Sequence, residues 1–388
     1  MLDFNYYNPT RIYFGKGRLD KIAGEIPKDA RVLILYGGGS AKRSGLIDGI
    51  HELLAGREVH EFGGIESNPR YETLVRAVDV VREKNIDFML AVGGGSVIDG
   101  TKFVALAAYY DGEPTDLLKF GFKPIVPPTV KRAVPFGVVL TLPATGSEMN
   151  MGAVVTYRHS KYSVMSPVTF PRFSVLDPTL TFTLPESQVA NGVVDAFVHV
   201  TELYLTYPVG ALIQDRIAES VLQTLIEVGP TSVAEPENYL ARANHEWCAA
   251  LALSGVIGSG VPQDWATHMI GHELTAKFGI DHARTLAIVL PVLLDIRREQ
   301  KHAKLVQYAE RVWGITEGSD DAKVDQAIAK TRRFFESLGI KTRLSDYGVG
   351  ADQIPDIIAG LEAQGMTALS ETRDLTLDIV KVILERAV

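Results

Sequence analysis

Short apolar runs that end in glycine-rich turns recur in the first half of the chain. The run RVLILY at residues 31–36 meets the turn GGGS at residues 37–40, and the run FMLAV at residues 88–92 meets a second GGGS at residues 93–96. A pattern typical of a helix follows each turn. Because buried strands that alternate with helices are typical of a mainly parallel sheet, the first half predicts an α/β fold.

Other segments of the first half also show a clear period. Residues 71–83 place apolar side chains at helical spacing, and residues 137–142 and 173–176 predict strands. Residues 157–161 are predicted to form a polar turn. These segments continue the alternation of strands and helices.

The second half shows long helical periods and few strand-like runs, with the change near Pro185. This change predicts a boundary between an α/β domain of residues 1–185 and an all-helical domain of residues 186–388. The predicted helices of the second domain are 188–204, 213–225, 239–256, 264–277, 284–300, 303–312, 323–338 and 352–361.

The composition is that of a globular protein and argues against large anionic partners. Hydrophobic residues make up 46% and charged residues 22% of the 388-residue chain, which is too long for one hydrophobic core. The formal net charge is -8, so no general attraction to nucleic acid or to an acidic membrane surface is expected. The predicted ligand is therefore a small molecule.

Cysteine content and hydropathy favour the cytoplasm. Cys248 is the only cysteine, which rules out internal disulfides and cysteine-based zinc sites and favours a reducing compartment. The start of the chain lacks a basic segment followed by an apolar one, and the most apolar run, residues 286–294, is too short to span a bilayer. We therefore expect a cytoplasmic protein without a membrane segment.

Three histidines lie close together in the segment WATHMIGHELTAKFGIDHAR, residues 265–284. His268 and His272 are four residues apart, which places them on one face of a helix, and His282 follows a loop that contains Gly279. Three separate histidines that cap helices or bond within the core are the alternative. A metal site is favoured only if a second group of ligand-type residues exists.

The segment VANGVVDAFVHVTE supplies this second group. Asp195 and His199 are again four residues apart, on a helix whose neighbouring residues are nearly all apolar. A buried carboxylate is costly unless it meets a cation, so either an Arg or Lys elsewhere pairs with Asp195 or a metal does. Two ligand pairs on separate helices favour the metal. Nitrogen and oxygen donors suit Zn²⁺ or Fe²⁺, and an open coordination position would make the site catalytic.

The two GGGS turns are candidates for binding the phosphates of a dinucleotide, because such turns expose backbone N–H groups at the positive end of a helix. Neither matches the G-x-G-x-x-G fingerprint, and glycine-rich strand ends often serve only as tight turns. No acidic residue is seen where one would bind a ribose 2′-hydroxyl, while Lys42 and Arg43 follow the first turn. This favours NADP(H) over NAD(H), although each of the two charges could equally belong to a solvated helix face.

Longer motifs accompany these residues along essentially the whole chain. They are PTRIYFGKG, GGGSVIDGTK, TLPATGSE, DPTLTFTLP, VVDAFVH, GVPQDWATHMIGHELTA and LSDYGV. With them the chain resembles the iron-containing (group III) alcohol dehydrogenase family, most closely its NADPH-dependent aldehyde reductase, butanol dehydrogenase-like branch. The resemblance implies an N-terminal dinucleotide-binding α/β domain and an all-α, metal-binding C-terminal domain, in a dehydroquinate synthase-like architecture.

The resemblance also implies roles for individual residues. The implied metal ligands are Asp195, His199, His268 and His282, and His272 would lie beside the metal without being a standard ligand. The implied contacts of NADP(H) are Gly38, Ser40, Asn68, Gly94, Gly95, Ser96, Asp99, Thr141 and Lys161.

Two positions depart from the family pattern. Leu142 stands where the family usually has a second threonine, which leaves one nicotinamide contact unassigned. Ala283 stands where a glycine usually follows the last metal-binding histidine, a change shared with the aldehyde reductase branch.

The implied reaction is hydride transfer between NADPH and a short- to medium-chain aldehyde. Zn²⁺ or Fe²⁺ would act as a Lewis acid on the carbonyl oxygen, and His272 or a water relay would supply the proton. The family also suggests a homodimer.

Two alternatives stay open, namely a glycerol dehydrogenase-like polyol oxidoreductase and a non-catalytic protein that binds metal and nucleotide. The residues near the histidines are apolar and favour a small, fairly apolar aldehyde: Val261, Pro262, Trp265, Met269 and Ile270.

Overall fold

A parallel sheet carries both glycine-rich turns. The computed structural model describes residues 1–118, 130–158 and 160–388. The strands in these ranges are β1 Arg11–Phe14, β2 Arg31–Tyr36, β3 Glu58–Phe62, β4 Phe88–Gly94, β5 Phe136–Leu142, β6 Gly152–Tyr157, β7 Ser160–Met165, β8 Phe173–Leu176, β9 Ala368–Leu369 and β10 Leu375–Thr376.

Six of the described strands form the main sheet, in the order β1-β8-β5-β4-β2-β3. All neighbouring pairs in it are parallel. Strand β2 is buried at every position after Arg31, as expected for a sheet that is covered on both faces. Tyr36 at the end of β2 pairs with Val92 of β4, so the two GGGS turns leave the sheet side by side.

Helices cover this sheet and make up most of the second half. The α-helices of the described residues are α1 Ile22–Glu25, α2 Ser40–Arg43, α3 Leu46–Leu53, α4 Tyr71–Glu83, α5 Gly95–Ala107, α6 Glu186–Tyr204, α7 Leu212–Ala234, α8 Tyr239–Ala252, α9 Ala266–Phe278, α10 His282–Ile296, α11 His302–Arg311, α12 Asp320–Ser337, α13 Ile354–Ala363 and α14 Leu377–Ala387. An α/β half followed by a helical half confirms the predicted fold class.

Helix α6 is the central helix of the second half. Its residues are buried from Val189 to Tyr204 on all sides, which is typical of a helix enclosed by others. Gly229 of α7 lies against it, where a Cβ would approach Cγ1 of Val193 to 3.0 Å. The helix on which Asp195 and His199 lie is therefore held in the core rather than at the surface.

Several predicted elements differ from the structure. The predicted polar turn at 157–161 is too wide, because Arg158 lies in a turn but Tyr157 still belongs to β6 and Lys161 to the antiparallel partner strand β7; residue 159 lies outside the described residues. Helix α7 continues through Pro230 to Ala234, beyond the predicted end at residue 225. Strands β1 and β3 and helix α14 were not predicted.

The chain divides into two units. The α/β unit is Tyr7–Thr183, and the helical unit consists of Met1–Tyr6 together with Leu184–Val388. The predicted boundary near residue 185 differs from this division in assigning residues 1–6 to the α/β domain. They belong with the helices because the backbone N–H of Leu2 donates to the carbonyl oxygen of Gly260 at 2.9 Å. Across the described ranges, no helix is both long enough and apolar enough to cross a membrane.

Candidate active site

The carboxylate of Asp195 lies where three imidazole rings meet. Its Oδ1 atom is 3.7 Å from Nε2 of His199, 3.9 Å from Nε2 of His268 and 3.8 Å from Nε2 of His282. Asp195 and His199 lie on α6, His268 on α9, and α10 begins at His282. The structure thus brings the four predicted metal ligands together around one oxygen atom.

The donor atoms at this point lack the hydrogen bonds that buried polar groups normally make. Within the described residues, Oδ1 of Asp195 and Nε2 of His268 are buried without a hydrogen-bond partner. Ligand atoms of Asp195, His268 and His282 lie within 4.8 Å of one another. His199 is outside this group of three, but its ring stacks on His268 with centroids 4.6 Å apart. A cation among these atoms would satisfy them, and the donor set suits Zn²⁺ or Fe²⁺.

The charges at the site are strongly coupled. Burial opposes ionisation of Asp195, but the imidazoles around it, His199 foremost, outweigh burial and hold the pKa of this carboxyl below its ordinary value. Burial lowers the pKa of His199 to about 4. Burial also disfavours protonation of His268, yet Glu202 and Asp195 raise its pKa to about 9. A cation that binds here would therefore displace a proton from His268.

Glu202, which the sequence analysis missed, supports His268 from the side opposite Asp195. One carboxylate oxygen of Glu202 is hydrogen-bonded to Nδ1 of His268, and the other accepts the backbone N–H of Thr267 at 2.7 Å. A carboxylate on the remote ring nitrogen of a metal-ligating histidine fixes its tautomer and orientation. A signal was available, because Asp195, His199 and Glu202 follow the spacing i, i+4, i+7 along one face of α6.

His272 lies one turn after His268 on α9. Its ring centroid is 4.9 Å from that of His282 and 6.1 Å from that of His268. The side chain is half-buried. The structure therefore places His272 beside the donor group, next to two of its rings.

The second glycine turn lies at the start of α5. Gly94 ends β4, Gly95 begins the helix, and Oγ of Ser96 accepts the backbone N–H of Asn68 at 3.2 Å. A Cβ at Gly95 would lie 2.5 Å from Oγ1 of Thr145, so a larger residue does not fit. A glycine turn that opens a 13-residue helix suits a pyrophosphate, which the backbone N–H groups and the helix dipole can bind.

The remaining predicted cofactor residues of this region lie on α5, β5 and β7. Asp99 of α5 accepts hydrogen bonds from Oγ of Ser147 at 2.6 Å and from the backbone N–H of Val154 at 2.8 Å. Burial holds the pKa of Asp99 above its ordinary value, and the charges of Lys102 and, less strongly, of Lys161, a buried residue of β7, counteract this. Thr141 is the penultimate residue of β5. Both oxygens of Asp99 are thus engaged within the protein.

The first glycine turn is surrounded by charged side chains. Nη1 of Arg43 donates to the carbonyl oxygen of Gly38 at 3.3 Å, and Ser40 begins α2. Nζ of Lys42 donates at 2.8 Å to Glu61 of the neighbouring strand β3. The sequence predicted no acidic residue at the ribose position, but Glu61 of β3 lies beside this turn, and it is the kind of residue that binds a ribose hydroxyl in NAD(H) sites.

The carboxylate of Glu61 is fully engaged, however. Its Oε2 accepts Nζ of Lys42 at 2.8 Å and the hydroxyl of Tyr36 at 2.9 Å, and its Oε1 lies 3.0 Å from Nε2 of His51. Its hydrogen bond to Lys42, foremost, holds the pKa of Glu61 below its ordinary value. The negative charge is therefore paired rather than presented to a ligand.

Glu148, just beyond β5, predicts a measurable pH dependence of stability. Burial raises its pKa from 4.5 to about 7, and the ammonium of Lys102 offsets only part of this. In the described residues neither of its carboxylate oxygens has a hydrogen-bond partner. Because the unfolded chain loses this proton at lower pH than the folded chain, the unfolding free energy falls as pH rises from 4.5 to about 7 and stays lowered above it.

We therefore expect Glu148→Gln to stabilise the protein at pH 8. The expected gain in unfolding free energy is on the order of 3 kcal/mol, because the pKa of about 7 in the folded chain lies far above 4.5, and it should be nearly absent at pH 4.5. Urea unfolding at a series of pH values measures it. Glu83→Gln, which removes an exposed carboxylate of the same unit, is the control. An equal fall of stability with pH in wild type and Glu148→Gln would contradict the assignment.

The fold and the donor group together match one known family. The family model for iron-containing alcohol dehydrogenase matches residues 9–178, and the model for the C-terminal part of the Fe-containing alcohol dehydrogenase family matches residues 189–388. The chain therefore belongs to the iron-containing alcohol dehydrogenase family, which confirms the resemblance inferred from its motifs.

Individual relatives narrow the comparison. The chain is 58% identical over 391 residues to the NADPH-dependent aldehyde reductase YqhD of Escherichia coli strain K12, covering 100% of both chains. It is 40% identical over 361 residues to the NADH-dependent butanol dehydrogenase A of Clostridium acetobutylicum, covering 91% of both. The crystal structure of E. coli YqhD aligns with a TM-score of 0.97 at 57% identity, covering 100% of this chain and 99% of that chain.

A more distant structure shows the same fold. The NADH-dependent butanol dehydrogenase A of Thermotoga maritima aligns with a TM-score of 0.93 at 33% identity, covering 100% of this chain and 99% of that one. The aldehyde reductase branch, which the motifs indicate, is supported by the sequence and by the crystal structure of E. coli YqhD.

Proposed function

We propose that this protein is a metal-dependent aldehyde reductase that uses NADPH to reduce short- to medium-chain aldehydes to alcohols. The observation that carries the proposal is the donor group, in which Nε2 atoms of three histidines lie within 4 Å of one buried oxygen of Asp195. The name of the E. coli relative, NADPH-dependent aldehyde reductase, supports the same reaction.

In this proposal the chain holds two groups that carry the reaction. When bound, NADPH supplies a hydride, and Zn²⁺ or Fe²⁺ supplies Lewis acidity toward the carbonyl group of the aldehyde. Asp195, His199, His268 and His282 hold the cation, and Glu202 keeps the His268 ring oriented toward it. Because Asp195 and His268 are buried, the site excludes most water and strengthens each electrostatic interaction.

The α/β unit binds the dinucleotide. Gly94, Gly95 and Ser96 receive the pyrophosphate at the start of α5, where the helix dipole favours negative charge. Gly38 and Ser40 receive the adenosine end, where Arg43 lies against the turn. The pairing of Glu61 with Lys42 and Tyr36 reduces its repulsion of a 2′-phosphate, which is compatible with NADPH.

The proton for the product alcohol is assigned to His272. Its imidazole lies beside His282 and His268. It is therefore close enough to exchange a proton with a molecule bound at the site. An imidazole can both donate and accept a proton, which suits this role. We also propose that the protein is cytoplasmic, which its single, buried cysteine supports. We propose further that it is a homodimer, which the exposed apolar side chains of Leu2, Phe4 and Tyr6 support.

Removal of the metal tests the proposed function directly. We expect the purified protein to oxidise NADPH in the presence of butanal, to lose this activity after treatment with a chelator, and to regain it when Zn²⁺ or Fe²⁺ is added under anaerobic conditions. Absorbance at the NADPH band measures turnover, and metal analysis of anaerobically purified protein identifies the ion. Undiminished turnover of metal-free protein would contradict the metal role.

The same assay separates the alternatives. Preference for glycerol or another polyol over butanol in the oxidising direction would favour a polyol oxidoreductase. Absence of turnover with every aldehyde and alcohol of a panel, with metal and nucleotide still bound, would favour a non-catalytic protein. A higher kcat/KM with NADH than with NADPH would overturn the cofactor assignment alone.

A further inference from the structure

Trp265 adopts a backbone conformation that bulky residues rarely occupy. Its φ is 63° and its ψ is 4°, in the left-handed region, at the residue that precedes α9. A large side chain is sterically disfavoured there, and such a residue persists only when its surroundings fix it, which is common at functional sites. The position lies three residues before His268.

Both neighbours of Trp265 are fixed by hydrogen bonds. The backbone N–H of Asp264 donates to the carbonyl oxygen of Glu202 at 3.0 Å, and Oδ1 of Asp264 accepts the backbone N–H of Ala266 at 3.0 Å. The other oxygen of Asp264 pairs at 2.8 Å with Lys301, and both side chains are at most 5% exposed. The backbone is therefore held in place on both sides of Trp265, and this imposes the left-handed conformation of Trp265.

The indole of Trp265 lies against two of the donor rings. Its centroid is 5.3 Å from that of His268 at an interplanar angle of 74°, and 6.1 Å from that of His199 at 64°. Its Nε1 donates to Oε1 of Gln263 at 2.9 Å, so its one polar atom is engaged away from the histidines. What the indole offers beside the donor group is apolar surface, and the side chain remains half-buried.

We infer that Trp265 is a specificity-determining residue, whose indole forms an apolar wall beside the carbonyl-binding site and excludes aldehydes that are branched next to the carbonyl carbon. The inference rests on the proposed aldehyde reductase function. An unbranched alkyl chain can lie along the indole, whereas a branch at that carbon meets the ring. In this inference the role of the strained backbone is to direct a large side chain to this place.

Glycine offers a sharp test, because it removes the indole and also prefers positive φ. Trp265→Gly should therefore fold at least as stably as Trp265→Ala, as judged by Tm, and should keep its metal. We expect the ratio of kcat/KM for 2-ethylbutanal to kcat/KM for butanal to rise about tenfold or more in Trp265→Gly. Trp265→Phe, which keeps an aromatic wall, should change the ratio by less than about threefold.

Trp247→Ala is the matched control, because Trp247 is an exposed tryptophan on α8 of the same unit. Its ratio should equal that of the wild type. A ratio in Trp265→Gly that stays at the wild-type value would overturn the inference. If the wild type itself turns over no aldehyde of the series, the proposed function fails instead, and the two failures are thereby distinguished.

A second measurement does not depend on turnover. The chain has three tryptophans, and Co²⁺ added to metal-free protein should quench the fluorescence of the one beside the donor group. We expect most of this quenching to disappear in Trp265→Phe and to remain in Trp247→Ala. Equal quenching in wild type and Trp265→Phe would place the indole away from the cation and would overturn the inference even if the glycine variant failed to fold.

Discussion

Asp195→Asn is expected to release most of the bound metal and to lower kcat/KM for aldehyde reduction by about 1000-fold, equivalent to about 4 kcal/mol of transition-state stabilisation. Oδ1 of Asp195 lies within 4 Å of all three Nε2 atoms. An asparagine keeps the shape of the side chain but removes the charge that offsets a divalent cation. The change therefore tests charge rather than packing.

Metal content and kinetics should be measured on the same preparation. The control is Asp356→Asn, which removes an exposed carboxylate of the same unit on α13 and should leave both quantities unchanged. Thermal unfolding of metal-free wild type and metal-free Asp195→Asn shows whether the fold is kept. Full metal content with full activity in Asp195→Asn would show that the donor group is not the metal centre.

Ser40→Asp is expected to shift the cofactor preference toward NADH by about 100-fold, equivalent to about 2.7 kcal/mol. Ser40 begins α2 directly after the first glycine turn. A carboxylate there would repel a 2′-phosphate and accept a hydrogen bond from a ribose hydroxyl. Lys42 cannot easily neutralise the new charge, because its ammonium is already paired with Glu61.

The measurement is the ratio of kcat/KM with NADPH to kcat/KM with NADH, together with the Kd of 2′-AMP, which needs no turnover. Ser40→Asn is the matched control, since it has the size of aspartate without its charge and should change the ratio far less. An unchanged Kd of 2′-AMP in Ser40→Asp would mean that the 2′-phosphate does not lie at this turn.

The central strands could be predicted from the sequence because their environment leaves a simple pattern. Strands β2 and β4 lie inside the sheet, are covered on both faces, and therefore read as continuous apolar runs. Strands β1 and β3 are the two edge strands, and β3 has the mixed sequence EVHEF with exposed Glu58 and Glu61. A strand that is half in water lacks the continuous run, so both edges were missed.

In the candidate site, too, the residues related by local spacing could be predicted, and those related only by contacts between distant parts of the chain could not. The pair Asp195 and His199 is visible in the sequence because helical spacing is local. The hydrogen bond between Glu202 and His268 joins residues 66 positions apart. The left-handed conformation of Trp265 depends on Asp264 and Lys301, which meet only in the folded chain. Spacing along one helix therefore gave candidates, whereas the residues that orient them required the three-dimensional structure.

The placement of residues 1–6 in the helical unit bears on the order of folding during synthesis. These residues are synthesised before the α/β unit, whereas the surface they pack on, which includes Gly255 and Gly260, is synthesised after it. The α/β unit can therefore fold before residues 1–6 pack against the helical unit. Folding of the helical unit then brings residues 1–6 together with segments that follow the α/β unit. This contact closes a loop of more than 200 residues, and the entropic cost of closing such a loop grows only slowly with its length.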